Sequence, residues 1–340
     1  MFKFPELKTI VVTGGAGFIG SNLALSLQFA YPKAEILVID DFSSGTYKNL
    51  RGFKGDIITT KLGPPKAFDD LHHFLKQKID VVFHQAAITD TTIHDEERVM
   101  ISNLESLRQM INFSRLTQAK LIYASSSAVY GQHSEEPMTI GQKENPLNVY
   151  AFSKLAADNL AKKFMNKTKI VGLRYFNVYG QGESNKNKAA SMIYQIYMQL
   201  TGRGDVNIRY TKPQRTPHVK LFKGSDNYER DWVYVEDVVN ANLFALNAES
   251  GIYNIGSGRS VSFKKIIEIV KRELGIKGQI HLNYFNNPAP QYYQKFTCAN
   301  LKTTKEKMVD YEPTSISKGI KSYIRYLEEE RCEEEKLITL

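Results

Sequence analysis

A glycine-rich stretch near the start of the chain decides the fold. Thr9–Asp40 reads TIVVTGGAGFIGSNLALSLQFAYPKAEILVID, in which two short apolar runs flank a helix-length segment, Phe18–Ala30. This order predicts a strand, a glycine loop, a helix and a second strand. Gly14, Gly17 and Gly20 are spaced for a tight turn, close approach of the backbone to a pyrophosphate, and tight helix–sheet packing. Because a helix N-terminus also offers free N–H groups to phosphates, the stretch predicts a dinucleotide-binding loop.

The alternation of apolar runs and amphipathic stretches continues beyond this loop. Strands are predicted at Lys8–Val12, Glu35–Ile39, Asp80–His84, Lys120–Ala124 and Lys169–Leu173. Helices are predicted at Phe18–Ala30, Pro65–Gln77, Asp95–Leu116 and Val149–Phe164. Runs of β-branched residues without polar alternation are typical of parallel strands that are buried on both faces. The chain is therefore predicted to be an α/β protein with a doubly wound parallel sheet.

A second, discontinuous domain is expected after residue 180, where this alternation stops. Further helices are predicted at Ala189–Leu200, Glu236–Asn247, Phe263–Leu274 and Ser315–Glu330, and further strands at Asp231–Val235 and Ile252–Ile255. We expect a dinucleotide-binding domain at 1–180 plus about 231–258. A smaller α/β substrate domain is expected at 181–230 plus about 259–330, followed by a tail at 331–340.

The composition is that of a globular protein with excess positive charge. The 340 residues are 42% hydrophobic, which excludes disorder over most of the chain. The 45 Lys and Arg against 36 Asp and Glu give a net charge of +9, which predicts nucleic acid, an anionic membrane or phosphorylated small molecules as partners. Only Cys298 and Cys332 are present, which favours a reducing compartment. Because neither a targeting segment nor a membrane-spanning apolar stretch is found, we expect a cytoplasmic protein. We predict no metal site.

The type of dinucleotide stays open at this point. Asp40 follows the last glycine by about 20 residues, the position from which an acid binds the ribose hydroxyls of NAD. Several basic residues nearby, Lys48, Arg51, Lys54 and Lys61, would instead suit the 2′-phosphate of NADP, whereas Asp41 would repel it. The candidate cofactor-binding residues are Gly14, Gly17, Phe18, Ile19, Gly20, Asp40, Asp41, Asp56, Lys61, Gln85, Ala86, Ala87, Asn103, Lys154 and Val178.

A candidate acid/base group opens the predicted helix Val149–Phe164. Tyr150 and Lys154 lie four residues apart and so share one face of that helix. The preceding strand ends at a serine cluster that includes Ser126. An unperturbed tyrosine titrates near ~10, so a nearby lysine must lower its pKa before it can act as a base near neutrality. Ser126, Tyr150 and Lys154 are therefore the first catalytic candidates.

These residues carry a family resemblance. The glycine loop, Ser126, Tyr150 and Lys154 together resemble the extended short-chain dehydrogenase/reductases that modify nucleotide-sugars, over about residues 8–328. Further motifs resemble the ADP-glyceromanno-heptose 6-epimerases: His84–Ala87 (HQAA), Pro146–Tyr150 (PLNVY), Arg174–Gly180 (RYFNVYG), Lys220–Ser225 (KLFKGS), Arg230–Val235 (RDWVYV) and Tyr293–Thr297 (YQKFT). The resemblance implies a Rossmann-type sheet and one tightly bound NADP or NAD per subunit. Family dehydratases carry an acid after the serine, where this chain has Ser127.

The resemblance also implies a mechanism, which is epimerisation at the exocyclic C6 carbinol of ADP-glycero-manno-heptose during lipopolysaccharide core synthesis. Transient oxidation would give a C6 ketone, and the same hydride would return to the opposite face. Tyr150 would serve one face, and a lysine after N-V-Y-G, aligned with Lys186, would serve the other. The local sequence departs from the family, so Lys188 is a competing candidate for the second base.

Further positions are carried over from the family as substrate contacts. Arg230 would clamp the diphosphate, because a guanidinium matches phosphate oxygens bidentately. The candidate substrate-binding residues are Ser126, Asn177, Lys186, Lys188, Gln195, Phe222, Lys223, Gly224, Ser225, Arg230 and Tyr293. The partner expected is a nucleotide-diphosphate sugar, with self-association into a homo-oligomer. The alternatives are a UDP-hexose 4-epimerase or other nucleotide-sugar epimerase or reductase and, more remotely, a non-catalytic nucleotide- or nucleic-acid-binding regulator.

The positive charge is concentrated in one segment. Glu183–Lys223 carries a net +6 of the +9, with eight basic and two acidic residues. This segment is expected to cover a diphosphate-sugar. It also includes a basic insertion near 204–218 that is unmatched in the family. The charge therefore favours an anionic small molecule over nucleic acid or a membrane.

Overall fold

The computed structural model describes residues 5–64, 78–91, 93, 95–132, 136–202 and 217–338. The predicted helix Pro65–Gln77 and nearly all of the basic insertion near 204–218 lie outside the described residues. Within the described ranges, no helix is both long and apolar enough to cross a membrane.

Twelve strands are present in the described part of the chain. They are β1 (Thr9–Thr13), β2 (Glu35–Asp40), β3 (Asp56–Thr59), β4 (Val81–His84), β5 (Lys120–Ser126), β6 (Ile170–Tyr175), β7 (Asn177–Tyr179), β8 (His218–Phe222), β9 (Glu229–Tyr234), β10 (Gly251–Ile255), β11 (Ser260–Ser262) and β12 (His281–Phe285). Seven of them form one sheet in the order β10-β6-β5-β4-β1-β2-β3. Every neighbouring pair in this sheet is parallel. The predicted doubly wound parallel sheet is thus confirmed, because the strand order reverses on either side of β1.

Helices connect and cover these strands. They are α1 (Phe18–Ala30), α2 (Glu96–Met100), α3 (Ser106–Thr117), α4 (Val149–Lys162), α5 (Met192–Leu200), α6 (Val235–Phe244), α7 (Phe263–Glu273), α8 (Lys302–Lys307) and α9 (Ile316–Ile338). A π-helical turn, Ile101–Glu105, joins α2 to α3. Such turns are rare and often lie at functional sites.

The central sheet is buried on both faces, as its apolar runs predict. Along β1, Ile10 and Val12 pack into one core and Val11 packs into the other. Leu37 and Ile39 of β2 also pack into the second core, while Val38 faces the first. Because side chains alternate between the faces of a strand, each run supplies apolar residues to both cores.

A third core lies outside the central sheet and belongs to the second half of the chain. It contains Trp232 of β9, Phe263 of α7, and buried residues of α5 and α9. β9 pairs with β7 in parallel and with β11 in antiparallel orientation, whereas β8 and β12 form a separate parallel pair. β7 begins two residues after β6 of the central sheet ends, so the chain passes directly from the central sheet into this small sheet. The domain boundaries given above stay a prediction.

Candidate active site

The glycine loop follows β1 and is shaped by the backbone around it. Gly14 has φ +67°, and a Cβ added there would lie 2.6 Å from the backbone nitrogen of Ala86. Its own nitrogen donates to the Ile39 carbonyl at 2.7 Å. Only glycine is compatible with both the positive φ and this close approach. A Cβ at Gly20 would likewise overlap the backbone of Gly14, which matches the predicted roles of both glycines.

The N-terminus of α1 is open to a ligand. Gly17 precedes the helix, no side chain caps it, and the first turn contains no acidic residue. Phe18 and Ile19 begin the helix immediately after the loop. Uncapped N–H groups at a helix N-terminus attract phosphate. Together with the Cβ-free cradle at Gly14, this arrangement fits the pyrophosphate of a nicotinamide dinucleotide.

Asp40 braces this loop from the end of β2. Its two carboxylate oxygens accept from the backbone N–H groups of Ala16 and Phe42, both at 2.8 Å. Burial raises the pKa of Asp40, although these hydrogen bonds oppose the shift. The Asp41 carboxylate accepts from the backbone N–H and the hydroxyl of Ser43. Both acids lie at the predicted edge of the sheet, and both hold loop backbone there.

The structure places Asp56, one of the candidate cofactor-binding residues, away from the carboxyl edge of the sheet. Asp56 begins β3 and pairs with Leu37, three residues before the end of β2. At about 3.3 Å per residue, it lies about 10 Å from the carboxyl edge where the glycine loop sits. The residues at that edge are Thr60, whose nitrogen donates to the Asp40 carbonyl, and then the exposed Lys61. Lys61 is thus near the cofactor edge, and Asp56 is not.

The segment after β4 is held close to the glycine loop. The Gln85 amide bonds the Tyr175 hydroxyl and the Asn242 side chain, each at 3.1 Å. The small residues Ala86 and Ala87 follow it and are half-buried. Asn103, in the π-helical turn, bonds both backbone groups of Ile88, and its Nδ2 also donates to Ser153 at 2.9 Å. Asn103 therefore positions the segment 85–88 rather than facing open space.

Ser126, Tyr150 and Lys154 come together beside this segment, as predicted. Tyr150 lies in the first turn of α4, and its phenol hydrogen-bonds Ser126, which ends β5. One turn later, Lys154 donates from Nζ to the Ala124 carbonyl at 2.8 Å, and its Nζ lies 6.0 Å from the centre of the Tyr150 ring. Asn148 caps this helix through the backbone nitrogen of Ala151. Tyr150 and Lys154 therefore extend from the capped N-terminal turns of α4, whose position is fixed.

The electrostatics of this group differ from the sequence expectation in one respect. Burial raises the pKa of Tyr150, and the Ser126 hydrogen bond only partly opposes that shift. Burial also lowers the pKa of Lys154 to about 8, with the charge of Asp158 opposing it. His84 is buried and its pKa is lowered to about 3, so it is neutral beside Lys154. In the protein alone, desolvation outweighs the lysine charge, because the ammonium lies beside the ring rather than bonded to the phenol.

Lys186 approaches the same site from the second half of the chain. It lies in the 3₁₀ turn Ser184–Ala189, and its Nζ is 5.6 Å from the centre of the Phe18 ring, at the start of α1. Burial lowers its pKa, and the charge of Glu183 opposes this shift. The side chain of Lys188 lies outside the described residues, so the choice between the two lysines is not tested.

Asn177 and Val178 lie where the two halves of the chain meet. Val178 of β7 packs against both the first core and the third core. The Asn177 side chain accepts from the Thr297 hydroxyl at 3.0 Å. Their place at this junction agrees with the predicted contacts to cofactor and substrate.

An aromatic cluster surrounds the guanidinium of Arg230. Arg230 is buried, and its Cζ lies 5.2 Å from the centre of the Tyr293 ring, whose phenol it hydrogen-bonds. Tyr293 packs edge-on against Phe222 at 5.5 Å, and Phe222 contacts Phe285 at 4.8 Å. Tyr228 lies 6.0 Å from Tyr293 on another side. A cation next to several rings suits the phosphates and base of a nucleotide.

The remaining predicted substrate residues lie around this cluster. Lys223 and Gly224 are exposed after β8, and the Ser225 hydroxyl is buried without a hydrogen-bond partner among the described residues. Gln195, on α5, donates to the Ala190 carbonyl at 3.0 Å. The structure thus places Ser225 beside the cluster with a free polar atom, whereas the Gln195 amide bonds the protein itself.

Sequence reasoning missed Phe285, Tyr228 and Glu183. Phe285 lies on β12, which has only a weak strand pattern, and Tyr228 follows the KLFKGS motif without belonging to it. Glu183 is fully buried beside the Lys186 turn. A buried acid in a polar segment has no periodic signal, so nothing in the sequence distinguished it.

Known proteins share this architecture over nearly the whole chain. The model of the NAD dependent epimerase/dehydratase family matches residues 10–256. A protein of Brachyspira hyodysenteriae named ADP-L-glycero-D-manno-heptose-6-epimerase is 34% identical over 328 residues, covering 94% of this chain and 98% of that protein. The crystal structure of the Helicobacter pylori ADP-L-glycero-D-manno-heptose-6-epimerase has a TM-score of 0.83 at 38% identity, covering 95% and 97% of the two chains.

A more distant structure shares the fold alone. The Thermotoga maritima UDP-glucose 4-epimerase with UDP-glucose has a TM-score of 0.81 at 24% identity, covering 94% of this chain and 99% of that one. The family match covers the glycine loop, the Ser126, Tyr150 and Lys154 group, and all seven strands of the central sheet except the first residue of β1. The chain belongs to the NAD dependent epimerase/dehydratase family.

Proposed function

We propose that this protein epimerises the exocyclic C6 carbinol of ADP-glycero-manno-heptose, as a step in making the lipopolysaccharide core precursor. The observation that carries the proposal is the hydrogen-bonded Ser126–Tyr150 pair with Lys154 one turn away, beside a glycine loop that fits a dinucleotide. The two relatives with 34% and 38% identity both bear the name of this activity.

The residues of the chain divide the work of this reaction. When bound, the nicotinamide supplies reversible hydride transfer. The positive charge of its oxidised ring would also lower the pKa of Tyr150, which burial raises in the protein alone. Tyr150 Oη takes the proton of the C6 hydroxyl, while the Ser126 hydroxyl orients both oxygens. Lys154 holds its ammonium close to Tyr150 through the Ala124 carbonyl and favours the phenolate electrostatically.

The opposite face of C6 needs a second acid/base group, and we assign it to Lys186. Its ammonium reaches the start of α1 from the second half of the chain, whereas Tyr150 comes from α4 and β5. A lysine with a lowered pKa is suited to exchange a proton near neutrality. Rotation about the C5–C6 bond then presents each face in turn without moving the anchored nucleotide.

The aromatic cluster around Arg230 holds that nucleotide. Arg230 pairs with the diphosphate, and Phe222 and Tyr293 flank it with ring surface for the adenine and sugar. Ser225 offers a buried hydroxyl beside them that is free to bond the ligand. The described residues provide no ion-pair partner for this buried guanidinium, so it gains most from pairing with an anion.

For the cofactor we propose NADP over NAD. Both oxygens of Asp40 already accept backbone N–H groups, so the negative charge that would repel a 2′-phosphate is partly neutralised. Lys61 follows Thr60 at the same edge and supplies a cation. Titration calorimetry with each dinucleotide tests this: the Kd for NADP is expected to be the lower one, and Lys61→Gln to reduce the difference. Equal or tighter binding of NAD would overturn the assignment.

The activity itself is tested with the purified protein and ADP-D-glycero-manno-heptose. Nuclear magnetic resonance is expected to show conversion to the L-glycero epimer without incorporation of solvent deuterium at C6, because the same hydride returns. Tyr150→Phe is expected to lose at least about 100-fold in kcat. The matched control is Tyr253→Phe, which removes a phenol bonded to the Glu249 carbonyl, away from the site. Conversion of UDP-galactose but not of the ADP-heptose would overturn the proposal.

The location and assembly of the protein are also proposed. A cytoplasmic location agrees with two free cysteines, of which Cys332 is exposed. A homo-oligomer agrees with the exposed apolar side chains of Leu116 on α3 and Phe152 on α4, two neighbouring helices. Light scattering of the purified protein tests the assembly, and a monomeric mass would exclude it.

A further inference from the structure

Glu183 fixes the loop that carries Lys186 through its buried carboxylate. Its carboxylate accepts from the Gly180 nitrogen at 3.1 Å, from the Ser191 nitrogen at 2.5 Å and from the Ser191 hydroxyl at 2.9 Å. Gly180 follows β7, and Ser191 caps α5. One fully buried carboxylate therefore ties both ends of the segment between these two elements.

The same residue also contacts the Lys186 turn through its backbone. The Glu183 carbonyl accepts from the Lys186 nitrogen at 2.9 Å. The far side of the loop is docked on the dinucleotide-binding half: Asn22 donates to the Gln181 carbonyl at 2.9 Å, and Asn49 donates to the Gly182 carbonyl at 3.4 Å. Asn22 thus fixes the start of the loop to α1. The hydrogen bonds of Glu183 then determine the path of the turn that follows.

We propose that Glu183 is a positioning residue for Lys186: it holds the turn that aims the lysine at the start of α1, and it keeps a negative charge beside the ammonium. This inference rests on the proposed function, in which Lys186 is the second acid/base group. Both carboxylate oxygens accept hydrogen bonds, whereas an amide has a single acceptor oxygen, so Glu183→Gln removes the negative charge and also leaves one of the loop donors without its acceptor.

The charges around this carboxylate support a role beyond bracing. The groups that face it are Lys186 on its own segment, Tyr179 of β7, and Tyr323 of α9. Burial raises the pKa of both tyrosines well above the ordinary value, and the charge of Glu183 adds to the shift, so both are neutral. Burial lowers the pKa of Lys186, and Glu183 opposes that shift. Burial raises the pKa of Glu183 itself, while the hydrogen bonds from Ser191 and Gly180 and the charge of Lys186 oppose that shift, so the ionised carboxylate and the Lys186 ammonium stabilise each other.

The test compares Glu183→Gln with the control Glu236→Gln. Glu236 is exposed and accepts from Gln181 in the same loop at 3.3 Å, so the control removes one charge nearby without touching the Lys186 turn. Reductive ¹³C-methylation of the lysines followed by a pH titration reports on the ammonium directly, with the Lys186 signal assigned by its loss in Lys186→Met. The same variants are then assayed with ADP-heptose for kcat and KM across pH.

Glu183→Gln is expected to move the Lys186 titration to lower pH and to reduce kcat about tenfold, with KM within about twofold. Glu236→Gln is expected to match the wild type in both readouts. If Glu183→Gln does not fold, Glu183→Asp keeps the charge one methylene further away, and a smaller shift in the same direction is expected. An unchanged Lys186 titration in a folded variant would overturn the inference. A wild type that titrates as expected but does not convert ADP-heptose would overturn the proposed function alone.

Discussion

The buried ion pair between Arg174 and Asp158, on the far side of α4, gives the sharpest quantitative test of the structure. Arg174 Nε donates to Asp158 Oδ2 at 2.8 Å, and its Nη2 donates to Glu144 at 2.9 Å. The Arg174 and Asp158 side chains are 1% and 0% exposed. The Tyr123 hydroxyl donates to the other Asp158 oxygen at 2.8 Å. Since Asp158 lies one turn after Lys154 on α4, the pair fixes the far side of the helix that carries the proposed acid/base group.

Arg174→Met removes the cation and leaves the Asp158 charge buried, with Tyr123 as its remaining partner. Breaking a buried pair from one side costs about 3–5 kcal/mol. An unfolding entropy of about 2.1 cal/mol/K per residue gives about 0.7 kcal/mol/K for a chain of this length. The melting temperature is therefore expected to fall by about 4–7 °C. Adding Asp158→Asn removes the orphaned charge and keeps an acceptor for Tyr123, so the double variant is expected to recover part of the loss.

Scanning calorimetry of the two single variants and the double variant measures both the loss and the coupling. The control is Arg325→Met, which breaks a pair with Glu329 whose side chains are 81% and 62% exposed. Exposed pairs contribute about 0–1 kcal/mol, so the control is expected to lower the melting temperature by no more than about 1.5 °C. If Arg174→Met lowers it no further than this control, or if the two single effects simply add, then the buried pair does not stabilise the helix as argued.

Three further predictions concern the cofactor loop, the reaction and the pH dependence. Gly14→Ala is expected to weaken dinucleotide binding at least about 100-fold by calorimetry, since its Cβ would lie 2.6 Å from the Ala86 nitrogen; Gly52→Ala, with φ +83° and open space around it, controls for backbone strain alone. In the Tyr150→Phe variant, rapid mixing is expected to show no reduced cofactor on adding substrate, and a normal signal would assign the first base elsewhere. Burial raises the pKa of Asp231 to about 6, so the folded state binds this proton more tightly than the unfolded chain. The free energy of unfolding should therefore gain about 2 kcal/mol from this group as pH falls from about 7 to about 4. Urea titrations of the wild type against Asp231→Asn isolate this term, and an equal pH slope in both proteins would contradict it.

The central sheet could be predicted from the sequence because its signal is local. β1 and β2 begin or end within one residue of the predicted runs, since unbroken β-branched residues define a strand buried on both faces. β8 and β12 were not predicted as a pair. β8 alternates two buried residues with exposed or half-buried ones, β12 is mostly exposed, and the two strands pair across about 60 residues of intervening chain. No local pattern therefore predicts that they pair.

The place of Asp56 in the sheet could not be predicted for the same reason. Spacing after a glycine counts residues along the chain, whereas strand register decides which residue reaches the edge of the sheet. β3 pairs through Thr59 with Asp40, so the residues that follow Thr59 meet the cofactor edge, and Asp56 stays below it. The register becomes known only when the two strands are aligned in three dimensions.

Local sequence also identified the candidate acid/base group, but it gave no information on the electrostatics of that group. The spacing of Tyr150 and Lys154 places both on one face of α4, and the structure confirms that they meet Ser126 there. In the protein alone, burial raises the pKa of Tyr150, and this desolvation depends on everything packed around the phenol. The spacing of Tyr150 and Lys154 identifies the two groups, but the residues packed around them determine their pKa values.

The two acid/base groups of the proposed reaction are therefore held in different ways. Tyr150 is fixed by a capped helix that packs on the central sheet, and its position follows from the fold itself. Lys186 sits on a short turn whose course depends on one buried carboxylate, Glu183, and on the docking of its loop against Asn22 and Asn49. Because these contacts join residues up to 159 positions apart, the second group is positioned only when both halves of the chain are folded together. An enzyme that presents two faces of one carbon to a single cofactor needs this arrangement, since two groups from one helix could not lie on opposite sides of the same substrate atom.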